Sequence, residues 1–311
     1  MNKITFPRMS YDGSELTQSQ LEEWFLERIK NDILNRLEKI TSDSSNIDVR
    51  LLKCLKEYLK YVLLASPIRL KKITKISDAY ICSNLSIKFK KDLTKAFNYN
   101  QYRKGVLVDL AEKLNIKSCP YCNMQYTLFA EKGNRNKIAK MQFDHFYNKS
   151  DYPFLSMSLY NLIPSCGICN QGKSKGNLSL KFHPYNSDIY KQFRFEIEDP
   201  LKLYVGGKKD HINIQLVPED ATKDELQAYQ DMFNIKTLYS RHRDIAQESF
   251  DKAYEDAYYS QSSSFRFLEQ DDIEYLQRLA IGVYPNENEI EKRPMSKFIL
   301  DIRKQAKNLN C

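Results

Sequence analysis

Two short cysteine pairs, CPYC at residues 119–122 and CGIC at residues 166–169, are the part of this 311-residue sequence that decides its fold. A C-x-x-C pair in a tight turn presents two sulfur atoms to one ion, and two such pairs complete the four-sulfur tetrahedral shell that suits zinc. A four-thiolate shell leaves no position open to a substrate, so the pattern predicts a structural zinc ion. A pair of disulfides or isolated thiols is the alternative interpretation. The predicted ligands are Cys119, Cys122, Cys166 and Cys169.

The cysteine count also bears on the compartment. Seven is an odd number for a disulfide framework, and paired cysteines in a reducing compartment are typical of metal sites. Cys54, Cys82 and Cys311 stand alone and are expected to be ordinary thiols, the first two being candidates for burial. No stretch approaches ~20 apolar residues and the start lacks the apolar core of a signal peptide, so we expect a cytoplasmic protein without membrane association.

The segment between the two pairs carries polar residues that a zinc site alone does not require. Residues 140–146 (KMQFDHF) resemble a strand that ends in the adjacent Asp144 and His145. Asn161 opens the sequence NLIP before the second pair, and Asn170 follows its last cysteine directly. Each residue also has a structural interpretation, because an Asp-His pair is often a surface feature and asparagine favours turns and helix ends.

Taken in order, CPYC, the Asp-His pair, NLIP and CGICN with a downstream lysine resemble the four-cysteine members of the HNH nuclease family. The resemblance covers about residues 116–186 and implies a ββα-metal core, in which two strands precede a helix that begins near the second cysteine pair. It implies His145 as the general base, and Asp144 and Asn170 as ligands of a catalytic Mg²⁺ or Mn²⁺. It implies that Asn161 braces the loop and orients the histidine.

These residue types suit the hydrolysis of a phosphodiester. Asp and Asn offer hard oxygen ligands for Mg²⁺ or Mn²⁺, and a divalent ion at the phosphate oxygens stabilises the attacked phosphate and the leaving alkoxide. A neutral imidazole near pH 7 can deprotonate the attacking water. The expected function is therefore that of a metal-dependent endonuclease acting on DNA or on an RNA such as tRNA.

The distribution of charge favours a nucleic-acid partner for the same segment. The chain has a net charge of +8; residues 116–186 hold 9 Lys and Arg against 3 Asp and Glu, whereas residues 187–311 hold 18 against 23. A basic excess is typical of a surface that meets phosphate, and a solvated basic face is the plain alternative. Candidate nucleic-acid contacts are Lys140, Lys173, Lys175 and His183, and His183 is also a candidate accessory metal ligand.

Two other functions fit parts of the sequence. Residues 167–174 (GICNQGKS) match the phosphate-loop pattern of nucleotide hydrolases, but Gly176 and Pro184 follow too soon for the long helix that such a loop opens. The zinc-stapled segment could instead bind nucleic acid without cleaving it. The Asp144-His145 pair with Asn170 separates a nuclease from this binding module, because a binder does not need these residues.

Further stretches extend the family resemblance into the flanks. They are FNYNQYRKG (97–105), FYNKSDYPFLSMSLYNLIP (146–164), KFHPY (181–185) and RPMSKFILDIRKQ (293–305). Together they resemble the PtuB-type HNH proteins of Septu antiphage systems, including those attached to some retrons. The resemblance implies an antiphage function beside an SMC- or ABC-like ATPase, with a retron reverse transcriptase and its RNA and DNA as further candidate partners.

Hydrophobic periodicity predicts an α+β fold with helical parts on both sides of the core. Helices are predicted at residues 18–40, 51–64, 102–114, 222–259 and 294–307. A basic connector is expected at residues 68–75.

Alternating apolar residues predict a small β-hairpin after the core. The alternation covers residues 193–197 and 201–205, and a Gly-Gly turn leads into residues 212–216. Three regions follow from this organisation. They are an N-terminal helical region (1–115), the nuclease core (116–186) and a C-terminal hairpin and helical region (187–311) expected to dock a partner.

Overall fold

The computed structural model describes most of the chain. The described residues are 3–41, 46–80, 84–132, 136–171, 177–201, 212–260 and 270–309, with the backbone alone at 131–132, 136–139, 254–260 and 270. Within these ranges the chain is an α+β protein in which helices predominate and strands occur in antiparallel pairs, which confirms the predicted class. No helix in the described ranges combines the length and the apolar character needed to cross a lipid bilayer.

Helices precede and follow the segment that carries the cysteine pairs. In chain order they are α1 (Gln18–Glu38), α2 (Asn46–Leu63), α3 (Pro67–Tyr80), α4 (Ile87–Phe97), α5 (Tyr99–Tyr102), α6 (Val106–Leu114), α7 (Gly167–Asn170), α8 (Lys223–Phe233), α9 (Ile235–Tyr239), α10 (Arg243–Ser260), α11 (Gln270–Ile281) and α12 (Ser296–Asn308). The sequence-based predictions do not include α3, α4 or α11 as helices.

Helix α1 illustrates why the predicted helices form. The Thr17 side chain accepts the N–H of Gln20 at 3.3 Å, and the Gln20 side chain accepts the N–H of Thr17 at 2.8 Å. This reciprocal cap satisfies two donors that the first turn leaves without intrahelical partners. Buried apolar residues then recur every four positions and form one stripe toward the core. They are Leu21, Phe25, Ile29, Ile33 and Leu37.

The basic stretch at residues 68–75 is not a connector, so that expectation is wrong. It lies inside α3, which begins at Pro67 and buries Leu70 and Thr74. Proline suits the first position of a helix because the N–H groups there have no intrahelical acceptor. Pro67 therefore begins a new helix, and the lysines of this stretch lie on a helix surface.

Asparagine in the left-handed conformation divides the helical segment predicted at residues 222–259. Asn234 has a φ of 52°, where α8 ends and α9 begins. Asparagine adopts this conformation more readily than most residues with a Cβ atom. The helix predicted at residues 102–114 is also interrupted, because α5 ends at Tyr102 and α6 begins only after Gly105.

Short strands pair in antiparallel fashion, each odd-numbered strand with the one that follows it. They are β1 (Arg8–Met9), β2 (Glu15–Leu16), β3 (Phe129–Lys132), β4 (Asn136–Ala139), β5 (Gln142–His145), β6 (Leu162–Ser165), β7 (Phe193–Ile197) and β8 (Ile214–Pro218). The β7–β8 pair joins the strand predicted at residues 193–197 to a strand that overlaps the one predicted at residues 212–216. All but the first residue of the strand predicted at 201–205 lie outside the described residues. Residues 202–211, which include the predicted Gly-Gly turn, lie outside the described residues.

The β5–β6 pair carries the predicted Asp-His pair. In its register Asp144 lies opposite Ile163 and His145 opposite Leu162. Helix α7 follows β6 closely and packs against β5. The order of strand, strand and helix is the order expected of the core, and residues 172–176, after α7, lie outside the described residues.

The chain divides into two compact units. One contains Ile4–Ile116 and Thr127–Asn186, and holds α1 to α7 with β1 to β6. The other contains Lys117–Tyr126 and the described part of 187–311, with Lys3, and holds β7, β8 and α8 to α12. The functional division into regions 1–115, 116–186 and 187–311 stays a prediction.

A buried ion pair stabilises the unit that contains α12. The Lys297 Nζ and Asp301 Oδ2 atoms lie 2.8 Å apart, and both side chains are almost fully buried. Asp301 also accepts the N–H of Phe195 in β7 at 2.8 Å, and the Lys297 ammonium lies 3.9 Å from the centroid of the Tyr190 ring. The pair thus links α12 to β7, and each charge depends on the other because neither reaches water.

Replacing Lys297 by methionine should lower the free energy of unfolding by about 3–5 kcal/mol, because the Asp301 carboxylate loses its buried counter-charge. A Lys297→Met/Asp301→Asn double variant keeps an acceptor for the Phe195 N–H and should recover much of this loss. Urea unfolding measures both. As a control, Lys95→Met removes a lysine whose side chain is 81% exposed and should cost less than about 1 kcal/mol. Equal losses in the single and double variants would contradict the ion-pair explanation.

Candidate functional site

The cysteines of the two C-x-x-C pairs come together, as the sequence predicts. The sulfur atoms of Cys119, Cys122, Cys166 and Cys169 all lie within 4.8 Å of one another, and all four residues are buried. No disulfide joins any two cysteines in the described part of the chain. Four buried sulfur atoms at these separations form a group that could hold one metal ion.

For the three solitary cysteines, the structure tests the expected burial of Cys54 alone. Cys54 is exposed, so its expected burial is wrong. It lies on α2, whose buried face consists of neighbouring positions such as Leu51, Leu52 and Leu55. Cys82 and Cys311 lie outside the described residues.

The first cysteine pair lies in a tight turn. The N–H of Asn123 donates to the Cys119 carbonyl at 2.7 Å, and the N–H of Met124 lies 3.4 Å from the Cys122 sulfur. Asn123 has a φ of 52° and is fully buried. Its amide group donates to the Ile290 carbonyl at 3.0 Å and accepts the N–H of Lys297 at 3.0 Å. The turn is therefore held by backbone groups near the start of α12.

Two tyrosines also hold the backbone of this turn. The hydroxyl of Tyr239 donates to the Cys122 carbonyl at 2.6 Å, and the hydroxyl of Tyr229 donates to the Tyr121 carbonyl. Both tyrosines are fully buried. The backbone that carries the first cysteine pair is consequently positioned by α8 and α9.

The second cysteine pair follows β6 without a linker. Cys166 is the N-cap residue of α7, and the N–H of Cys169 lies 3.5 Å from the Cys166 sulfur. Backbone N–H groups directed at sulfur favour the thiolate form over the thiol, because the negative charge accepts a hydrogen bond more strongly. The start of a helix therefore presents both sulfur atoms of this pair.

Asp144 and His145 are consecutive residues of β5, so their side chains point to opposite faces of the strand. Asp144 is 3% exposed, whereas His145 is only half-buried. The predicted metal ligand and the predicted base therefore differ in their access to water.

The ring of His145 is oriented by a backbone carbonyl. Its Nε2 atom lies 3.0 Å from the carbonyl oxygen of Ser156. A carbonyl can only accept a hydrogen bond, so the neutral ring in this arrangement carries its proton on Nε2 and its lone pair on Nδ1. The contact thus selects a tautomer whose Nδ1 atom can accept a proton.

Tyr99 packs against the histidine and was not among the predicted site residues. The centroids of the Tyr99 and His145 rings lie 4.5 Å apart in an edge-to-face arrangement. The Tyr99 hydroxyl donates to the carbonyl of Phe143 at 3.0 Å, which attaches Tyr99 to the strand that carries His145. Tyr99 belongs to the stretch FNYNQYRKG that supports the family resemblance, and this stretch was the signal in the sequence that could have identified it.

Two cations accompany Tyr99. The Lys149 ammonium lies 4.4 Å from the centroid of the Tyr99 ring. Burial lowers the pKa of Lys149, and the positive charge of Arg103 lowers it further. Burial raises the pKa of Tyr99 to about 12; Arg103 opposes this shift and Asp144 adds to it. Arg103 and Lys149 therefore add positive charge near Tyr99 and the strand that carries His145.

Asn161 is fully buried and uses its whole amide group. Its Oδ1 atom accepts the N–H of Tyr147 at 2.7 Å, and its Nδ2 atom donates to the carbonyls of Tyr147 and Leu155, both at 3.0 Å. The asparagine thereby joins the beginning of the loop after β5 to its far side. Removing this amide would take away the side-chain partner of the N–H and of the carbonyl of Tyr147, whereas the Leu155 carbonyl would keep the N–H of Ser158 at 3.1 Å.

Asn170 lies at the end of α7, beside β5. Its Nδ2 atom donates to the side-chain oxygen of Gln142, so Oδ1 is the atom of this amide suited to bind a cation. Gln142 is the first residue of β5 and was not predicted to take part. Its role could not be anticipated from the sequence, because no local pattern connects residues 142 and 170.

The three lysines predicted to contact nucleic acid differ in whether the structure describes them. Lys140 is exposed, as a phosphate contact requires. Lys173 and Lys175 lie outside the described residues, as do the last three positions of the phosphate-loop pattern.

His183 does not fit either predicted role, because its side chain is 0% exposed. Its ring lies 4.2 Å from that of Phe146, centroid to centroid, and its Nδ1 atom accepts the N–H of Tyr185 at 3.2 Å. Burial lowers the pKa of His183 to about 3, although backbone hydrogen bonding, including that with Tyr160, opposes the shift. A neutral, buried ring with Nδ1 already engaged is part of the aromatic core and is not placed to contact phosphate or a metal ion.

Comparison with known proteins does not add a relative: no family model, no curated protein and no solved structure matches the chain.

The burial of His183 should make stability depend on pH. An unfolded histidine titrates near pH 6.5, so between about pH 6.5 and pH 3 the unfolded chain binds a proton that the folded chain does not. The contribution of His183 to the free energy of unfolding should therefore be fully present above pH 6.5 and fall by up to about 1.4 kcal/mol for each pH unit below it. Urea unfolding at pH 7, 6 and 5 tests this. The His183→Asn variant keeps a side-chain acceptor without titrating and should show a shallower pH dependence; identical slopes would contradict the assignment.

Proposed function

We propose that this protein is a zinc-stapled HNH-type nuclease that hydrolyses phosphodiester bonds of nucleic acid. The observation that carries the proposal is the arrangement around β5. A half-buried histidine there has Nε2 directed at a backbone carbonyl, a buried aspartate precedes it, and the asparagine that ends α7 lies beside the same strand. The resemblance of residues 116–186 to four-cysteine HNH nucleases assigns chemistry to these same residues.

The four-cysteine group supports structural zinc. A zinc–sulfur bond of about 2.3 Å in a tetrahedral shell places sulfur atoms roughly 3.8 Å apart, and the present separations of at most 4.8 Å are close to that. All four positions would be filled by sulfur, so this ion would support the fold and take no part in hydrolysis.

His145 would act as the general base. With its proton on Nε2 and the carbonyl of Ser156 accepting it, the ring would take a proton from the attacking water at Nδ1. The imidazolium that forms would keep its hydrogen bond to the carbonyl, which stabilises the positive charge. Asn161 would act through the loop, since its hydrogen bonds hold the segment that runs from Tyr147 to Leu155.

Asp144 and Asn170 would hold a catalytic Mg²⁺ or Mn²⁺. The fit rests on donor chemistry, because a carboxylate and an amide oxygen are ligands that these ions prefer, and on the bond to Gln142 that occupies the donor atom of the Asn170 amide. When bound, such an ion stabilises charge on the phosphate and on the leaving oxygen. Burial of Asp144 limits competition by water for the carboxylate.

Arg103 and Lys149 would contact the phosphate near the scissile bond. The charge of Arg103 lowers the pKa of Lys149 and also acts on Tyr99, so the two cations lie close enough to repel each other. An anion bound between them would relieve this repulsion. Both side chains can donate several hydrogen bonds to phosphate oxygens.

The resemblance of the flanks extends the proposal to a biological setting. We infer an effector in antiphage defence, on DNA or on an RNA such as tRNA, that acts beside an SMC- or ABC-like ATPase. Exposed apolar side chains on α11 give the C-terminal part a surface suited to a protein partner. They are Tyr275, Leu276 and Leu279.

Replacing His145 by alanine should reduce the cleavage rate by about 10²–10⁴-fold, because the general base is lost. The assay uses labelled plasmid DNA and tRNA with Mg²⁺ or Mn²⁺, with and without the co-expressed neighbouring ATPase. Nucleic-acid binding and the melting temperature should change little. The control His242→Ala removes a histidine outside the β5–β6 segment and should cut at the parental rate. Parental cleavage by His145→Ala would refute the site, and binding without any cleavage by the parental chain would favour a binding module.

Replacing Cys122 by serine should release zinc and destabilise the fold sharply, since structural zinc can contribute ~10 kcal/mol or more to folding. Zinc per chain is measured by elemental mass spectrometry, and stability by thermal unfolding. The matched control is Cys54→Ser, which removes an exposed cysteine and should retain zinc. A Cys122→Ser variant with parental zinc content and melting temperature would contradict the zinc assignment.

A further inference from the structure

A cleft of about 460 Å³ opens beside the loop that follows His145, within the unit that contains β5 and β6. One wall is helix α3, and the opposite wall is the loop with Tyr147, Ser150 and Tyr152. Lys90 of α4 also lines the cleft. The remaining lining residues are Asp151 and Asn177.

The helix wall is built from one face of α3. Lys71, Thr74, Lys75 and Asp78 line the cleft at the spacing i, i+3, i+4 and i+7, which places four side chains on the same side of a helix. The face is therefore a row of two ammonium groups, a hydroxyl and a carboxylate.

The charge of the cleft favours an anionic ligand. Lys71 and Lys90 are half-buried and Lys75 is exposed, and none of the three forms an ion pair with a residue that the structure describes. The Asp78 carboxylate accepts the hydroxyl of Tyr152 at 2.5 Å, so one of the acidic groups is already engaged. The lining thus holds three ammonium groups against two carboxylates, those of Asp78 and Asp151. Its remaining positive charge favours a phosphate backbone over a cationic ligand.

The loop wall connects the cleft to the candidate catalytic residues. Tyr147 lies two residues after His145, so their Cα atoms are at most about 7 Å apart. The backbone of Tyr147 is fixed by the buried amide of Asn161. The next turn is also ordered, because the Asn148 side chain accepts the N–H of Ser150 at 3.0 Å. The loop wall of the cleft is therefore held close to the histidine by these hydrogen bonds.

We propose that this cleft binds the sugar-phosphate backbone of the substrate strand, a few nucleotides from the scissile bond, through Lys71, Lys75 and Lys90. The proposal rests on the proposed nuclease function and adds the path of the substrate. Lysine contacts to phosphate position a strand without reading its sequence, so the cleft would contribute affinity and register and leave base preference unaffected.

The test measures equilibrium binding by the full chain carrying His145→Ala, which prevents cleavage. The probes are a labelled DNA duplex of about 30 base pairs, long enough to extend past both the cleft and the histidine, and a labelled tRNA, each at several salt concentrations. In this background, Lys71→Gln/Lys75→Gln/Lys90→Gln should raise the Kd about 10-fold or more. The slope of log K against log salt should fall by about 2–3, since each lost phosphate contact removes roughly 0.7–0.9 from it.

Neighbouring lysines supply the control. Lys72 on α3 and Lys91 on α4 do not line the cleft. The double variant Lys72→Gln/Lys91→Gln should bind with less than about a 3-fold change in Kd, because it removes the same kind of charge from outside the proposed path. All variants should keep the parental melting temperature and zinc content. If replacing Lys71, Lys75 and Lys90 weakens the binding of one probe more than the other, the more strongly affected probe shows which backbone, duplex DNA or tRNA, the cleft binds.

Two results would overturn the proposal, and they distinguish failure of the proposed nuclease function from failure of the cleft assignment alone. If the His145→Ala chain binds neither probe, the proposed nuclease function fails and the cleft assignment fails with it. If that chain binds but the cleft variant matches it in Kd and salt slope, or the control variant is weakened as much as the cleft variant, only the cleft assignment fails. Should the triple variant prove unstable, Lys75→Gln alone, at an exposed position, must still lower the slope by about 1.

Discussion

The antiparallel pairing of β5 with β6 is the constraint on which the candidate site depends. Each strand has only four residues, yet the pair positions Asp144 and His145 against the segment that runs from Asn161 into Cys166. A slip of one residue in the register would exchange the faces of Asp144 and His145. The buried amide of Asn161 and the contact between His145 and the Ser156 carbonyl oppose such a slip, because both require the observed register.

The candidate site combines buried, hydrogen-bonded residues with a half-buried histidine. Asn161 and His183 are fully buried and have hydrogen-bond partners, so they hold the loop and the aromatic core without contacting solvent. His145 is half-buried on the same frame. The general-base role proposed for His145 requires access to water, whereas the groups proposed to orient it gain from exclusion of water, since hydrogen bonds in a low dielectric are stronger.

The helices after the core have a structural role within their own unit. Tyr229 and Tyr239 donate to carbonyls in the first cysteine turn, and the amide of Asn123 bonds to the backbone near α12. A turn that must present two sulfur atoms in a fixed geometry needs such support, because its own backbone provides few hydrogen bonds. These helices therefore support the first cysteine turn, whether or not they also bind a partner.

Local patterns in the sequence were enough to predict the α+β class, most helices and the grouping of Cys119, Cys122, Cys166 and Cys169, because apolar periodicity and C-x-x-C turns have direct structural consequences. Tertiary packing, in contrast, determined which other residues lie beside these elements. It buried His183, placed Tyr99 beside His145 and turned the lysines expected in a connector into one wall of a cleft. Burial and proximity between distant segments arise from packing of whole elements, and no short stretch of sequence records which partner a side chain will meet.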